Sequence, residues 1–302
     1  MSISHYIKEI GRGRDGARAL TRDQASDLMG RILDDQVSDL ELGAFCLAMR
    51  IKGETPEEMA GFLDATHTRL RLINAPAQCP VVSIPSYNGA RKLPVLTPLF
   101  AHLLAREGLA VIIHGTPTEH HRVTSQQVLQ AMGQAALTHG RTVEAGEVVF
   151  APTELLHPGL KRLLDVRRVV GLRNPAHSLV KLMNATSAHD ALLISSYTHP
   201  EYAVSMSATL ALTHTRALLL RGTEGEAVAD PRRTPHMDAF AHGIRTALIE
   251  GQSGPLVKLP DLPADIDALS TARYTQAVLS GDLPVPEPLT RQVQAALQAL
   301  KL

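Results

Sequence analysis

Val81-Val82-Ser83-Ile84-Pro85-Ser86-Tyr87-Asn88-Gly89-Ala90-Arg91-Lys92, with Thr97–Arg106 and Leu109–Ile113 behind it, decides how this chain folds. Val81–Ile84 is a short apolar run of the kind a buried strand needs, and Pro85–Lys92 is a polar loop. Thr97–Arg106 has helical spacing, and Leu109–Ile113 is a second strand running into His114-Gly115. A strand–loop–helix–strand unit places free backbone N–H groups and a helix N-terminus at its first loop, where anions bind. This loop has a single glycine, Gly89, and an Arg91-Lys92 pair where a phosphate loop often has small residues. The scaffold suits phosphate, and its loop is altered.

Further strand-like runs follow at Val148–Phe150, Leu192–Ser195 and Ala217–Leu220, with helical stretches between them. That alternation predicts a mostly parallel sheet covered by helices. Residues 20–72 read as helices. Thr21 caps the first, and Ser38 with Glu41 forms a capping box for the second, which stops near Lys52-Gly53. Thr55-Pro56-Glu57-Glu58 opens a third, with proline at the first helical position and acids in the first turn. Asn74–Ala77 reads as a linker, Pro260–Asp267 as loop, and a last helix begins near Pro288. The expected fold class is α/β. A small N-terminal helical domain (1–73, joined by part of 160–185) precedes a larger α/β domain (80–302) with a central, mostly parallel sheet covered by helices.

The 302 residues are 44 % hydrophobic, enough for a sizeable core, but aromatics make up 3 % and Trp is absent. The core must rest on Leu, Ala, Val and Ile. Cys46 and Cys79 make no disulfide or zinc framework, and the expected location is the reducing cytoplasm. Met1–Gly11 has no apolar signal core, and no run reaches the ~18 apolar residues of a membrane helix. Zero formal net charge argues against a wholly basic nucleic-acid binder, yet the charge is uneven. Residues 1–22 carry Lys8, Arg12, Arg14, Arg18 and Arg22 against Glu9 and Asp15. Residues 157–182 carry Lys161, Arg162, Arg167, Arg168, Arg173 and Lys181 against Asp165. Such blocks are either solvated helix faces or parts of a positive groove. Adjacent histidines such as His120-His121 do not share a helix face, so no metal site is expected. Ser195-Ser196 lacks a nucleophile elbow. Tyr87, Tyr197 and Tyr202 either stack on bases or pack against a cleft wall.

Arg50-Ile51-Lys52-Gly53-Glu54-Thr55, Phe150-Ala151-Pro152, His157-Pro158, Val166-Arg167-Arg168 and Gly171-Leu172-Arg173 resemble the anthranilate phosphoribosyltransferases over nearly the whole chain. The resemblance implies a helical domain beside an α/β domain, a cleft between them, and a homodimer built on the helical domain. The apolar residues Leu28, Ile32, Leu42 and Phe45 then read as that interface.

The family's chemistry motifs are altered. Its Gly-Thr-Gly-Gly-Asp pyrophosphate loop falls on Pro85-Ser86-Tyr87-Asn88-Gly89. Its Asp-Glu metal pair falls near Glu224-Gly225, with Glu226 one step late. Pro85 lacks an N–H, and Tyr87 adds bulk where backbone must approach closely. Basic residues stand at Arg91, Lys92, Arg122 and Lys181, so direct cationic handling of phosphate is expected instead of metal-assisted handling.

Ile7–Arg14, Ile84–Lys92, His199-Pro200-Glu201-Tyr202 and Gly222-Thr223-Glu224-Gly225-Glu226 resemble the YbiB-like branch of that family, known as dimeric, sequence-independent nucleic-acid binders. This implies DNA or RNA held through phosphates by Lys8, Arg12, Arg14, Arg91, Lys92, Arg122, Arg167, Arg173 and Lys181. The expected cleft loop comprises Ser86, Tyr87, Asn88, Gly89, His114, Asn184 and Glu224. No catalytic residue, metal, cofactor or membrane partner is expected. The alternatives are an active glycosyl- or phosphoribosyltransferase with an unusual acceptor, which would need Mg²⁺, and a phosphate-metabolite sensor.

Overall fold

The computed structural model describes residues 2–13, 15–119, 121–256 and 259–302. The first elements are α1 (Ser4–Ile10), α2 (Arg22–Leu33), α3 (Asp39–Lys52) and α4 (Pro56–His67). Then come β1 (Val81–Pro85), α5 (Thr97–Arg106), β2 (Ala110–Gly115), α6 (Ser125–Ala131) and β3 (Val148–Pro152). Helices α7 (Thr153–Leu156), α8 (Pro158–Val170) and α9 (Ala176–Leu182) follow. Next are β4 (Leu192–Tyr197), α10 (Pro200–Leu212), β5 (Ala217–Arg221), β6 (Met237–Ala241) and β7 (Ile244–Ile249). The chain closes with α11 (Ala268–Ser280) and α12 (Glu287–Ala299). It divides into two compact units, residues 1–71 with 153–183, and residues 72–152 with 184–302. No helix among the described residues is long and apolar enough to cross a membrane.

In the helical unit, capping decides where α2, α3 and α4 start. Thr21 with Gln24, Ser38 with Glu41, and Thr55 with Glu58 each form a reciprocal box. Glu41 also accepts from the Ser2 hydroxyl and the Ile3 N–H, and these bonds hold its carboxyl down at about 2. One N-terminal residue of α3 thereby tethers the start of α1. Glu58 is wholly buried, and its carboxylate accepts from Leu20 N (2.9 Å), Thr55 N (2.9 Å) and Lys52 Nζ (2.6 Å). It joins the ends of α3 and α4 to the segment entering α2. Phe45 and Phe62 meet edge to face at 6.1 Å.

The expectation that Leu28, Ile32, Leu42 and Phe45 face a partner is corrected: these residues are at most 3 % exposed in the single chain. The apolar side chains that α3 leaves in solvent are Leu40, Leu47 and Ile51.

The α/β unit has a mixed sheet of order β3-β2-β1-β4-β5-β6-β7 among the described residues, parallel through β5 and antiparallel at β6 and β7. Its core is aliphatic, as the shortage of aromatics requires. Leu99, Phe100 and Leu104 of α5, together with side chains of α11 and α12, pack on Val82, Ile84, Val111, Ile113 and Leu218. The β6–β7 hairpin and α11 are not legible from the strand-like runs. β6 is Met-Asp-Ala-Phe-Ala, with an acid inside it, and the hairpin turns on His242-Gly243 (φ 51° and 79°) instead of the common Asn-Gly.

Replacing Glu58 by Ala would leave the Lys52 ammonium and two amides without their buried acceptor, a loss of about 3–5 kcal/mol. The expected result is a clear fall in melting temperature, with Glu58→Gln affected less. An unchanged melting curve for Glu58→Ala would remove this carboxylate from the support of the helical unit.

Candidate functional site

The site lies where β1 and β2 end side by side. Ser86 N donates to His114 O at 2.8 Å, and a Cβ on Gly115 would sit 1.8 Å from Ser86 O, so glycine is needed there. Tyr87 is 4 % exposed, its hydroxyl lies 3.0 Å from His114 Nδ1, and the two rings cross edge to face. Of the two readings open for Tyr87, packing into the wall is the one found.

Beyond Tyr87 the loop turns its amides inward onto carboxylates of its own chain. Asn88 N and Gly89 N donate to Glu226 Oε1 at 2.8 and 2.7 Å. The hydroxyls of Ser86 and Thr97 donate to Glu226 Oε2 at 2.5 and 3.2 Å. Three further amides, of Arg91, Lys92 and Leu93, converge on Glu224 Oε2 at 3.0, 3.0 and 3.2 Å. Glu226 is 1 % exposed, whereas the Glu224 side chain keeps 15 % of its surface.

A tight turn after β5 presents both acids. Glu226 N donates to Thr223 O, and Glu224 and Gly225 take φ of 54° and 94°. A Cβ on Gly225 would fall 1.7 Å from Asn88 Nδ2, so the turn can seat only as glycine. Asn88 Nδ2 donates to Glu224 O at 3.2 Å, and Ser196 Oγ donates to Gly225 O at 3.1 Å. Arg122 Nη1 reaches both Gly89 O and Glu224 O at 3.3 Å, bracing loop and turn together.

Chemically, the amides of a phosphate loop are already charge-paired. Hydrogen bonds from N–H groups to a carboxylate are short and strong, and burial strengthens them. A pyrophosphate at Asn88 and Gly89 would have to expel Glu226 or meet its charge. Mg²⁺ needs carboxylate oxygens open to it, and both oxygens of Glu226 are taken. No group of three potential metal ligands occurs among the described residues. The loop is thus neutralised from within, by a residue whose place in the sequence suggests a displaced metal ligand.

The remaining expected residues fall on both units. Arg91 and Lys92 are exposed, with Arg91 Nε 3.9 Å from Glu224 Oε1. Asn184 is half-buried and accepts from Thr186 N. On the helical unit, Lys8 and Arg12 are exposed, Arg12 being paired with Glu9. Arg167, Arg173 and Lys181 are half-buried there. Arg14 and His120 lie outside the described residues. Burial pushes the Cys46 thiol up to about 12, and Cys79 is a separate free thiol.

Residues 4–68 match the family model of the glycosyl transferase family helical bundle domain. YbiB of Escherichia coli (strain K12) is 38 % identical over 304 residues, spanning 99 % of this chain and 94 % of that protein. The chain belongs to the anthranilate phosphoribosyltransferase-like family, with YbiB as a relative along its whole length. The anthranilate phosphoribosyltransferase of Dictyoglomus thermophilum is 29 % identical over 177 residues, 56 % of this chain and 50 % of that enzyme. The crystal structure of anthranilate phosphoribosyltransferase (TrpD) from Thermus thermophilus superposes with a TM-score of 0.71 at 22 % identity, covering 97 % of this chain and 87 % of the other. A phosphoribosyltransferase-like scaffold with a helical bundle and an α/β unit is thus established.

In this family member Glu226 is the residue the loop depends on. Glu226→Ala would strand two amides and the Thr97 hydroxyl in a buried site, while Ser86 Oγ keeps Ser125 Oγ, a cost on the order of 3 kcal/mol. The melting temperature should fall, and amide exchange at Asn88 and Gly89 should speed up. Unchanged exchange at those two amides would contradict the bonding described.

Proposed function

We propose that this chain is a nucleic-acid-binding protein that grips phosphates without reading bases, on a transferase scaffold that no longer turns over a phosphoribosyl donor. The observation that carries this reading is the inward pairing of the loop amides with Glu224 and Glu226, while the side chains of Arg91 and Lys92 stay exposed. Phosphoribosyl transfer needs preorganised donors and a metal at the leaving pyrophosphate, and loss of even one such donor slows catalysis by about 10²–10³. Exposed cations can still hold phosphates, and Lys8, Arg12, Arg91 and Lys92 are exposed on their own units, which supports the reading. The transferase reading keeps the support of the family scaffold and is the competitor to be tested.

Binding to two unrelated oligonucleotides should then weaken steeply with salt, with a log–log slope of roughly −0.9 per duplex phosphate contacted. Arg91→Ala with Lys92→Ala should weaken both about equally and make the slope shallower. Salt-independent binding would refute the reading. So would Mg²⁺-dependent consumption of phosphoribosyl pyrophosphate with anthranilate.

The proposal includes a homodimer through the helical unit, built on a different face from the one the apolar pattern suggests. Leu40, Leu47 and Ile51 recur at helical spacing along the exposed side of α3 and are 85 %, 46 % and 59 % exposed. Asp39 and Arg50 stand exposed near opposite ends of that stripe, about 16 Å apart along the helix, and no ion pair involves either among the described residues. An antiparallel two-fold pairing of α3 with a second copy would bury the stripe and bring each Asp39 to the other copy's Arg50. Leu47→Asp should yield monomers in sedimentation velocity. Asp39→Arg should weaken the dimer, and the added Arg50→Asp should restore it. A parent protein that stays monomeric at micromolar concentration would refute the pairing.

A further inference from the structure

The two carboxylates in the loop are held very differently. Glu226 is enclosed by two amides and two hydroxyls and lies 1 % exposed. Glu224 has one oxygen in the three-amide cradle of Arg91, Lys92 and Leu93, and its other oxygen faces the distant Arg91 guanidinium, 3.9 Å away. Its own backbone sits at φ 54°, in the left-handed region that a side-chain-bearing residue occupies at a cost. Its side chain keeps 15 % of its surface in solvent, whereas Glu226 is closed in at 1 %.

Three successive amides aimed at one oxygen form a backbone nest, a concavity that takes an anion whatever its source. Here the occupant is tethered, so it competes for the nest at a fixed effective concentration. Around the rim stand the exposed side chains of Arg91 and Lys92. A carboxylate fills one cradle oxygen position. A phosphate would fill the same position and offer two or three further oxygens to the rim cations.

We propose that the amides of Arg91, Lys92 and Leu93 form a binding site for a single phosphate group, with Glu224 as its exchangeable internal occupant. Glu226 is the permanent lock of the neighbouring amides, and Glu224 is the gate. The inference rests on the phosphate-binding reading above and adds the atoms that take one phosphate and the group that competes for them. A gate of this kind raises the threshold for binding: a lone weak anion loses to the tethered carboxylate, whereas a polyanion held by other cations meets the nest at high effective concentration.

The test uses the full chain with two probes, inorganic pyrophosphate and a dT20 oligonucleotide, read by the backbone amide signals of residues 91–93 and by fluorescence anisotropy. Glu224→Gly removes the competitor and suits the left-handed backbone, while Glu224→Gln keeps the shape and drops the charge. Glu107→Gln, at the far end of α5 about 15 Å along the helix, removes the same charge elsewhere. Both Glu224 variants should tighten binding, by about tenfold for the glycine form, with the Glu107 variant unchanged and the 91–93 amides shifting on titration. Tightening for dT20 assigns a backbone phosphate, and tightening for pyrophosphate alone assigns a small phosphate compound. Equal affinities in the parent and both Glu224 variants, or silent amides at 91–93, would overturn the gate. Failure of dT20 to bind any form would instead overturn the nucleic-acid reading, leaving the nest to be judged by pyrophosphate.

Discussion

A single buried carboxylate holds the α/β unit's loop in place. Glu226 bonds the amides of Asn88 and Gly89 and the hydroxyls of Ser86 and Thr97. It therefore ties the end of β1 and the start of α5 to the turn that follows β5. A loop that displays amides in a row must find them acceptors or lose them to water. In a binding loop the acceptor is the ligand. Here it is the chain itself, and the close seat of Gly225 on Asn88 shows that the turn is built for that contact.

The family scaffold is kept while the loop's amides are paired within the chain. The chain keeps the parallel strands, the helix after the loop and the helical bundle of its family, and its likeness to a transferase structure extends over 97 % of its length. What differs is where negative charge comes from. A transferase site leaves its amides for the phosphates of a donor, and a site that supplies its own carboxylates spends that electrostatic field before any ligand arrives. Function lives in such local differences more than in the scaffold. The side chains of Arg91 and Lys92 stay exposed at the edge of this internal pairing, with Arg91 Nε 3.9 Å from Glu224 Oε1.

Much of the architecture is legible because its signals are local. Capping residues at Thr21, Ser38 and Thr55 mark the starts of α2, α3 and α4, since the side chain that satisfies an orphan amide is only three residues from it. The five parallel strands announce themselves as apolar runs because both their faces are covered. The β6–β7 hairpin lacks such a mark: one of its strands is largely exposed and its turn uses His242-Gly243. The partners of Leu28, Ile32, Leu42 and Phe45 are equally illegible, since an amphipathic pattern says that a face is covered and not by what.

By itself the sequence determined the α/β class, the helical N-terminal segment, the strand–loop–helix unit at residues 81–113 and the departure of that loop from the family's glycine-rich pattern. Only the tertiary structure decided what the loop does with its amides. Glu226 lies 137 residues from Gly89 along the chain, and its partner set arises because β5 is parallel to β4 and β4 to β1, which carries the Thr223–Glu226 turn to the loop. Contacts across such separations depend on sheet order, and sheet order is set by the packing of the whole unit. That is why an acid one position out of register with a metal motif reads as a lost ligand in the sequence and is the centre of the site in the fold.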